Sequence, residues 1–536
     1  MTRAMTGATV GAVLRHQVNE RGDTTMVVCD DDQITYAEAE ARSRAISGGL
    51  VARGASRGTH IGILFPTGLD FVITWLAATR IGAVAVPIST FSTADELRGL
   101  LAGADIDGLV MIDGYRGHDY VARLHEAIGA NLSHAGEFHL TPAPALRHVF
   151  VAGTPDGVHP DHTVDSLCAA GASVDDGHFD AIEADVSPDD RMVIVYTSGS
   201  TSAPKGVIHQ HGTLIRHVGN LNARRGLHAG LKLFSNSPLF WIGGLGYNVV
   251  GTLVAGSTLV CSNSLDGGVT LDLIERERPE LVNGFVQSIA NLVTHPTFGD
   301  RDFSSIRSGN LYPILPDDIR PADPELRHNM LGMTETGSVC LMSSDERDQP
   351  ERYRGSFGVP VPELEARVVN PETLDDCAVG EMGELWFRGP LLMEGYYGRE
   401  RHEVFTPDGW FRTGDLFHVD ADGFFYFHGR RGDMIKTGGA NVSPREVEAV
   451  MRELTGGLVS IVFGIDDPER DQVVVAVVVA PTDAPLDVER LRGDIKTKVS
   501  AYKVPRTIVR LAPDELPVLS SGKPDMARLA AVVRGH

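Results

Sequence analysis

The sequence predicts an α/β protein with a large N-terminal part of several subdomains and a small, mobile α+β part at its C-terminal end. Three observations predict it. Short apolar runs alternate with stretches of helical spacing over residues 1–431. A glycine-rich stretch, GRRGDMIKTGGANVSP (429–444), then interrupts the pattern. Beyond it, roughly 100 residues carry a helix, a buried strand and a second helix, enough for a small separate unit. We place the boundary between domains 1–431 and 432–536.

The elements follow in order. HIGILFP (60–66) reads as a buried strand, LDFVITWLAATRIG (69–82) as a helix and AVAVPI (83–88) as a strand again. MVIVYT (192–197), STLVCS (257–262) and ELVNGFV (280–286) repeat the strand pattern. Asp175 to Asp190 is acidic and poor in large apolar residues, and is expected to be a surface connection. In the C-terminal part, PREVEAVMREL (444–454) is an amphipathic helix with Ser443 as N-cap and Pro444 at its first position. VVVAVVVA (473–480) is a buried strand that Pro481 ends, and LDVERLRGDIKTKV (486–499) is a helix.

Composition bounds the function. The chain has 536 residues, 42% hydrophobic and 22% charged, with a formal charge of −23. That balance opposes a general nucleic-acid binder or a ligand of acidic membranes. Five widely spaced cysteines with no CxxC exclude a disulfide framework or zinc ribbon and indicate a reducing compartment such as the cytoplasm. No stretch gives about 18 clean apolar residues, so no integral membrane segment is expected. Lysine occurs only seven times, at 205, 232, 436, 496, 498, 503 and 523. Codon bias toward arginine accounts for the scarcity but not for where the lysines stand.

The strongest local signal is MVIVYTSGSTSAPKGV (192–207). A buried strand ends, and Thr197, Ser198, Ser200, Thr201 and Ser202 follow closely, with Gly199 and Gly206 for tight backbone and Lys205 as a cation. Hydroxyls, exposed N–H groups and one ammonium make a cradle for a polyanion. A Walker A loop is excluded by Pro204, which stands where its second glycine belongs, and by Gly206, which replaces its metal-binding hydroxyl.

YTSGSTSAPKG (196–206) resembles the signature of the adenylate-forming superfamily, which includes acyl-CoA synthetases, non-ribosomal adenylation domains and luciferases. Further motifs follow in that family's order over about residues 190–530. LGMTETG (331–337) resembles the second, GWFRTGDLFHVDADGFFYFHGRRGDMIK (409–436) the third and fourth, and LPVLSSGKPDMARL (516–529) the last. The resemblance implies an acyl-CoA synthetase-like fold with ATP and coenzyme A as co-substrates and Mg²⁺ as cofactor. It implies that Thr334 meets the α-phosphate, Glu335 holds Mg²⁺, and Leu331, Gly332 and Met333 line the nucleotide. It puts Asp415 on the ribose hydroxyls and Arg430 nearby, and gives Lys523 the reacting carboxylate and α-phosphate. It assigns Gly438 and Gly439 to the pantetheine tunnel and the hinge to Gly432, where relatives carry Asp or Lys. Leu331 stands where relatives carry an adenine-stacking Tyr, and RSGNLYP (307–313) replaces their Gly-Gly-Ala-like stretch, so Gly309 and Asn310 are the adenine candidates.

SPLFWIGGLGYN (237–248) leads to the acyl pocket, with Trp241 and Gly243 as candidate walls and Val286 of NGFVQSIA (283–290) as another. The segment has no acidic residue to pair a substrate ammonium, which opposes an α-amino acid. The expected activity is AMP-forming ligation of a hydrophobic carboxylic acid, a fatty acid in preference to an aryl or alicyclic one, to coenzyme A. A fatty-acyl-AMP ligase serving a carrier protein is the alternative. It is disfavoured because Asp415 and Arg430 leave no room for the insertion such enzymes carry after the third motif. A monomer or homodimer acting on small molecules is expected.

Overall fold

In the computed structural model, residues 8–153, 156–197, 204–437, 440–468, 471–481, 484, 486–499, 501–519 and 522–535 are described. They form two compact units. The first comprises Met1–Arg354, Pro360–Leu364 and Gly389–Pro407, and the second Gly355–Val359, Glu365–Arg388 and Asp408–His536. Among the described residues no helix is long and apolar enough to cross a membrane.

Two sheets organise the first unit. One has seven strands in the order Gly395–Tyr396, Lys205–Gln210, Arg191–Thr197, Val84–Pro87, His60–Leu64, Gly108–Ile112 and His148–Ala152. It is parallel from Arg191–Thr197 onward and antiparallel at its first two pairings. The other has six strands: Ser308–Gly309, Leu281–Asn283, Lys232–Ser235, Thr258–Cys261, Thr25–Cys29 and Asp32–Thr35. Only its last pairing is antiparallel. Their β-branched, uninterrupted apolar runs are those of strands covered on both faces. The run at 280–286 gives a strand only as far as Asn283, because Gly284 turns the chain and a 3₁₀ turn Val286–Ile289 follows.

The helix Leu69–Arg80 packs against strands of both sheets, and every residue from Phe71 to Arg80 is buried. That burial takes in a guanidinium, and here the structure corrects the sequence reading. Residues Asp176–Asp185 are not a bare connection but a helix, capped by the Asp175 carboxylate, which accepts from His178 N–H. The helix buries Phe179 and Glu183. Glu183 accepts from Arg80 Nε at 2.6 Å, and Glu40 accepts from the same guanidinium at 2.7 Å. A buried arginine needs such partners, since breaking a buried pair costs about 3–5 kcal/mol. An acidic segment reads as solvated until the buried cation it serves is located.

The second unit holds a four-stranded antiparallel sheet, Glu365–Val369, Gly383–Arg388, Phe411–Val419 and Phe425–Arg430. Its other sheet is built on the antiparallel pair Val459–Asp467 and Asp471–Val479, with Thr507–Leu511 added in parallel. The helices Pro444–Leu454, Val488–Lys498 and Met526–Arg534 cover it. Val447, Met451, Leu491 and Ile495 pack on the valine-rich strand. Ser443 stands at the start of the first helix, but its hydroxyl donates to the His428 carbonyl rather than capping the helix. This bond ties the helix to the four-stranded sheet.

Candidate active site

In the first unit the site is built at the edge of the seven-stranded sheet. Thr197 ends its strand, and Lys205 opens the next one opposite it in antiparallel register. Ser198, Gly199, Ser200 and Thr201 lie outside the described residues. The Lys205 ammonium sits 5.3 Å from the centre of the Tyr396 ring. Tyr396 is on the two-residue edge strand beside Lys205–Gln210. Its hydroxyl donates to Glu335 Oε1 at 2.8 Å.

Glu335 lies in the 3₁₀ turn Thr334–Thr336, between the antiparallel strands Leu331–Met333 and Ser338–Met342. Gly337 closes the turn at φ +72°, where an added Cβ would come within 2.8 Å of Leu214 and 3.2 Å of His209. His209 Nε2 lies 2.7 Å from the Thr334 carbonyl, so that nitrogen must carry the proton. Burial pushes the His209 pKa down to about 4, against the opposing pull of the Thr334 carbonyl. Burial likewise brings His211 and His217 down to about 3. The turn is therefore held from beneath by a neutral imidazole. Tyr396 and His209 are contacts of this turn that sequence reasoning missed. Neither carries a motif signature; side-chain hydrogen bonds from distant strands join them to the turn of Glu335.

Glu335 offers the hard carboxylate oxygens of this turn. This suits Mg²⁺, which is commonly held by one or two carboxylates together with substrate phosphates. Leu331 and Met333 are half-buried and Gly332 is exposed. Asn310 is engaged by protein: its side-chain amide donates to the Gly284 carbonyl at 2.8 Å, and its side-chain oxygen accepts from Gly284 N–H at 2.9 Å. Gly309, at φ +129°, presses so close to the Val282 carbonyl that a Cβ would lie 1.9 Å from it. Both residues shape the loop that borders the acyl segment.

That segment contains a π-helix, Gly243–Val250, a rare form often found at functional sites. Gly246 approaches the Gly337 carbonyl so closely that a Cβ would lie 2.5 Å away, joining this helix to the Glu335 turn. Trp241 packs edge-on against Phe240 at 5.6 Å and Phe285 at 5.5 Å, and Phe91 meets Phe240 at 5.7 Å. Phe91 and Phe285 remain 45% and 42% exposed, unusual for phenylalanine and expected at the rim of an apolar pocket. Among the described residues, a Cβ on Gly243 would meet no atom within 4 Å, so open space adjoins it. Val286 packs into the neighbouring core.

In the second unit, Asp415 and Arg430 stand opposite each other on adjacent strands, and Arg430 Nε donates to Asp415 Oδ1 at 3.0 Å. Asp415 is buried and Arg430 exposed. Glu384 accepts from Gly414 N–H at 3.0 Å and supports the same turn. Lys523 is exposed in a turn closed by Leu519 N–H donating to the Lys523 carbonyl at 2.8 Å. Gly432 is exposed, with no atom within 4 Å of an added Cβ, so packing does not demand glycine there. Gly438 and Gly439 lie outside the described residues.

The model of the AMP-binding enzyme family matches residues 14–397, and that of the AMP-binding enzyme C-terminal domain matches residues 446–523. A feruloyl-CoA synthase of Amycolatopsis sp is 31% identical over 91% of this chain and 92% of its own. The mitochondrial medium-chain acyl-CoA ligase of Mus musculus is 26% identical over 96% of this chain and 85% of its own. In fold, the crystal structure of an anthranilate CoA ligase in complex with anthranoyl-AMP matches with a TM-score of 0.81, at 21% identity, covering 99% of both chains. The chain belongs to the AMP-binding enzyme family. Within it, this is an acid–thiol ligase of the acyl-CoA synthetase branch.

Proposed function

We propose that this enzyme joins a hydrophobic aromatic carboxylic acid to coenzyme A through an acyl-adenylate, using ATP and Mg²⁺. The observation that carries the substrate class is the ring cluster of Phe91, Phe240, Trp241 and Phe285 beside open space at Gly243. A flat substrate ring could add edge-to-face contacts with these side chains beyond simple area burial. The 31% identical feruloyl-CoA synthase supports the same reading. The sequence alone favoured a fatty acid, and the medium-chain acyl-CoA ligase keeps that as the second reading.

In this proposal the substrate carboxylate attacks the α-phosphorus, pyrophosphate leaves, and the acyl group gains AMP as a leaving group. The thiol of coenzyme A then displaces AMP to give the thioester. Lys205, Thr334 and Lys523 offset negative charge on the phosphates, and Mg²⁺ held by Glu335 would add to this. Asp415 and Arg430 hold the ribose. Residues 432–536 turn about Gly432 between the two steps, bringing Gly438 and Gly439 to the pantetheine arm. The test is pyrophosphate release with aryl, alicyclic and C4–C18 fatty acids, with and without coenzyme A. Acid-dependent release followed by a CoA thioester, highest for aryl acids, is expected. A maximum on long fatty acids would give the second reading, and adenylate formation without thioester would give the carrier-protein alternative.

A further inference from the structure

The segment 393–397 stitches the strand of Lys205 to the turn of Glu335. Met393 N–H donates to the Glu335 carbonyl at 2.9 Å, Glu394 N–H to Ile208 O at 2.9 Å, and Tyr397 N–H to Gly206 O at 2.7 Å. Tyr396 lies at the centre of these bonds, with only 9% of its surface exposed. Its backbone is therefore fixed on both sides, and its side chain has little freedom left.

That side chain touches both charged groups. The hydroxyl donates to Glu335 Oε1 at 2.8 Å, and the ring lies 5.3 Å from Lys205 Nζ. Arg399 lies 6.0 Å from the same ring. A phenol O–H on a carboxylate is a charge-assisted bond. It occupies one oxygen and fixes the carboxylate plane, leaving the other oxygen available to a cation. A ring face beside an ammonium attracts it and restricts where the flexible lysine stem carries its charge. Without this tyrosine, Glu335 and Lys205 are opposite charges free to move toward each other, and pairing would remove both from the nucleotide.

We propose that Tyr396 is a positioning residue that keeps Glu335 oriented for Mg²⁺ and Lys205 oriented for phosphate. The proposal rests on the roles given above to Glu335 and Lys205. It assigns separate tasks to two parts of one side chain: the hydroxyl serves the metal and the ring serves the ammonium.

Two substitutions separate these tasks. Tyr396→Phe keeps the ring and loses the hydroxyl; Tyr396→Leu loses both. Binding of the non-cleavable analogue α,β-methylene-ATP is followed calorimetrically across a Mg²⁺ titration. For Tyr396→Phe, the Mg²⁺ concentration giving half of the affinity gain should rise about 10-fold, with metal-free affinity unchanged. Tyr396→Leu should in addition weaken metal-free binding about 3-fold. A Mg²⁺ requirement in Tyr396→Phe equal to the parent's would overturn the proposal. Acting through Glu335 has its own signature: in a Glu335→Gln background, Tyr396→Phe should shift the Mg²⁺ requirement no further, and an additive shift would overturn it. Should Tyr396→Phe melt early, Glu335→Gln alone decides, since a parent-like Mg²⁺ requirement there removes the premise. These are binding readouts. Failure of every acid to release pyrophosphate in the parent would sink the proposed function and leave them intact.

Discussion

Two lysines that a motif search treats alike are held in opposite ways. Lys205 opens a strand in register with Thr197, its ammonium confined beside the Tyr396 ring in a segment stitched by backbone hydrogen bonds. Lys523 stands on an exposed turn of the second unit, and among the described residues no ion pair holds it. The difference fits the separate roles proposed for them. A cation that holds a nucleotide through both half-reactions gains from being fixed in advance. A cation that serves one step and then withdraws gains from having little to break.

The sharpest break of this comparison is to remove each in turn. Lys523→Ala should lower the rate of acyl-adenylate formation by about 10²–10³, with the KM for ATP little changed. Thioester formation from supplied acyl-adenylate should continue. Lys205→Ala should raise the KM for ATP in the same assay, as loss of uniform binding does. Stopped-flow pyrophosphate release together with thioester formation reads both. An adenylation rate in Lys523→Ala near the parent's would sink its assignment.

The acyl segment comes next in size. Gly243→Leu puts a side chain into space where no atom lies within 4 Å of the Cβ position. It should cut kcat/KM for bulky aryl acids about 10–100-fold and leave short acids little affected, the range expected when a hydrophobic pocket loses room. Trp241→Ala should do the reverse and admit larger acids. A uniform loss across the panel would place Gly243 outside the pocket.

His209 tests the fixed side of the comparison through pH. Its folded-state pKa of about 4 lies below the ordinary histidine value of about 6.5. The unfolded chain therefore binds more protons between these limits, and stability rises with pH across them. The contribution is complete above about pH 6.5 and is lost as pH falls toward 4. His211 and His217, at about 3, act in the same sense. Denaturant unfolding followed from pH 7 to pH 4 should show a falling midpoint with a shallower slope in His209→Gln. That variant keeps a donor N–H for the Thr334 carbonyl and should keep most activity. His209→Leu leaves the carbonyl unpaired and should cost about 1–3 kcal/mol of stability, with slower adenylation. Equal behaviour of the Gln and Leu variants would remove the positioning role.

Much of this was legible in the chain. The runs at 60–66, 83–88, 192–197 and 257–262 hold the strands His60–Leu64, Val84–Pro87, Arg191–Thr197 and Thr258–Cys261, short, β-branched and apolar as buried strands are. The ordered motifs pointed to the family that the comparisons show, and strand pairing brings Asp415 to Arg430. What was not legible depends on distant partners. Asp176–Asp185 is a helix that carries Glu183 to the buried Arg80, far away in sequence. Asn310 looks free to contact adenine until Gly284 is seen to use both ends of its amide. Tyr396 and His209 gain their roles only from pairings about 61 and 125 residues long. Local pattern carries no trace of such pairings.

The last prediction concerns the segment that would let Lys523 withdraw. Gly432 follows the Asp415–Arg430 pair and is exposed, with open space where a Cβ would go and a φ outside the left-handed region. Nothing in the folded turn requires glycine, so a steric explanation for it is absent, and its freedom in φ and ψ is what another residue would remove. Proline removes most, locking φ near −65° and taking away the N–H. In the proposed mechanism adenylation uses one arrangement of residues 432–536 and the thioester step another, so Gly432→Pro should slow the second step more than the first. Single-turnover rates for the two half-reactions, measured with the same aryl acid, give the ratio directly. A ratio equal to the parent's, with both steps slowed together, would mean that Gly432 merely shapes the turn and that the pivot lies elsewhere in 429–444.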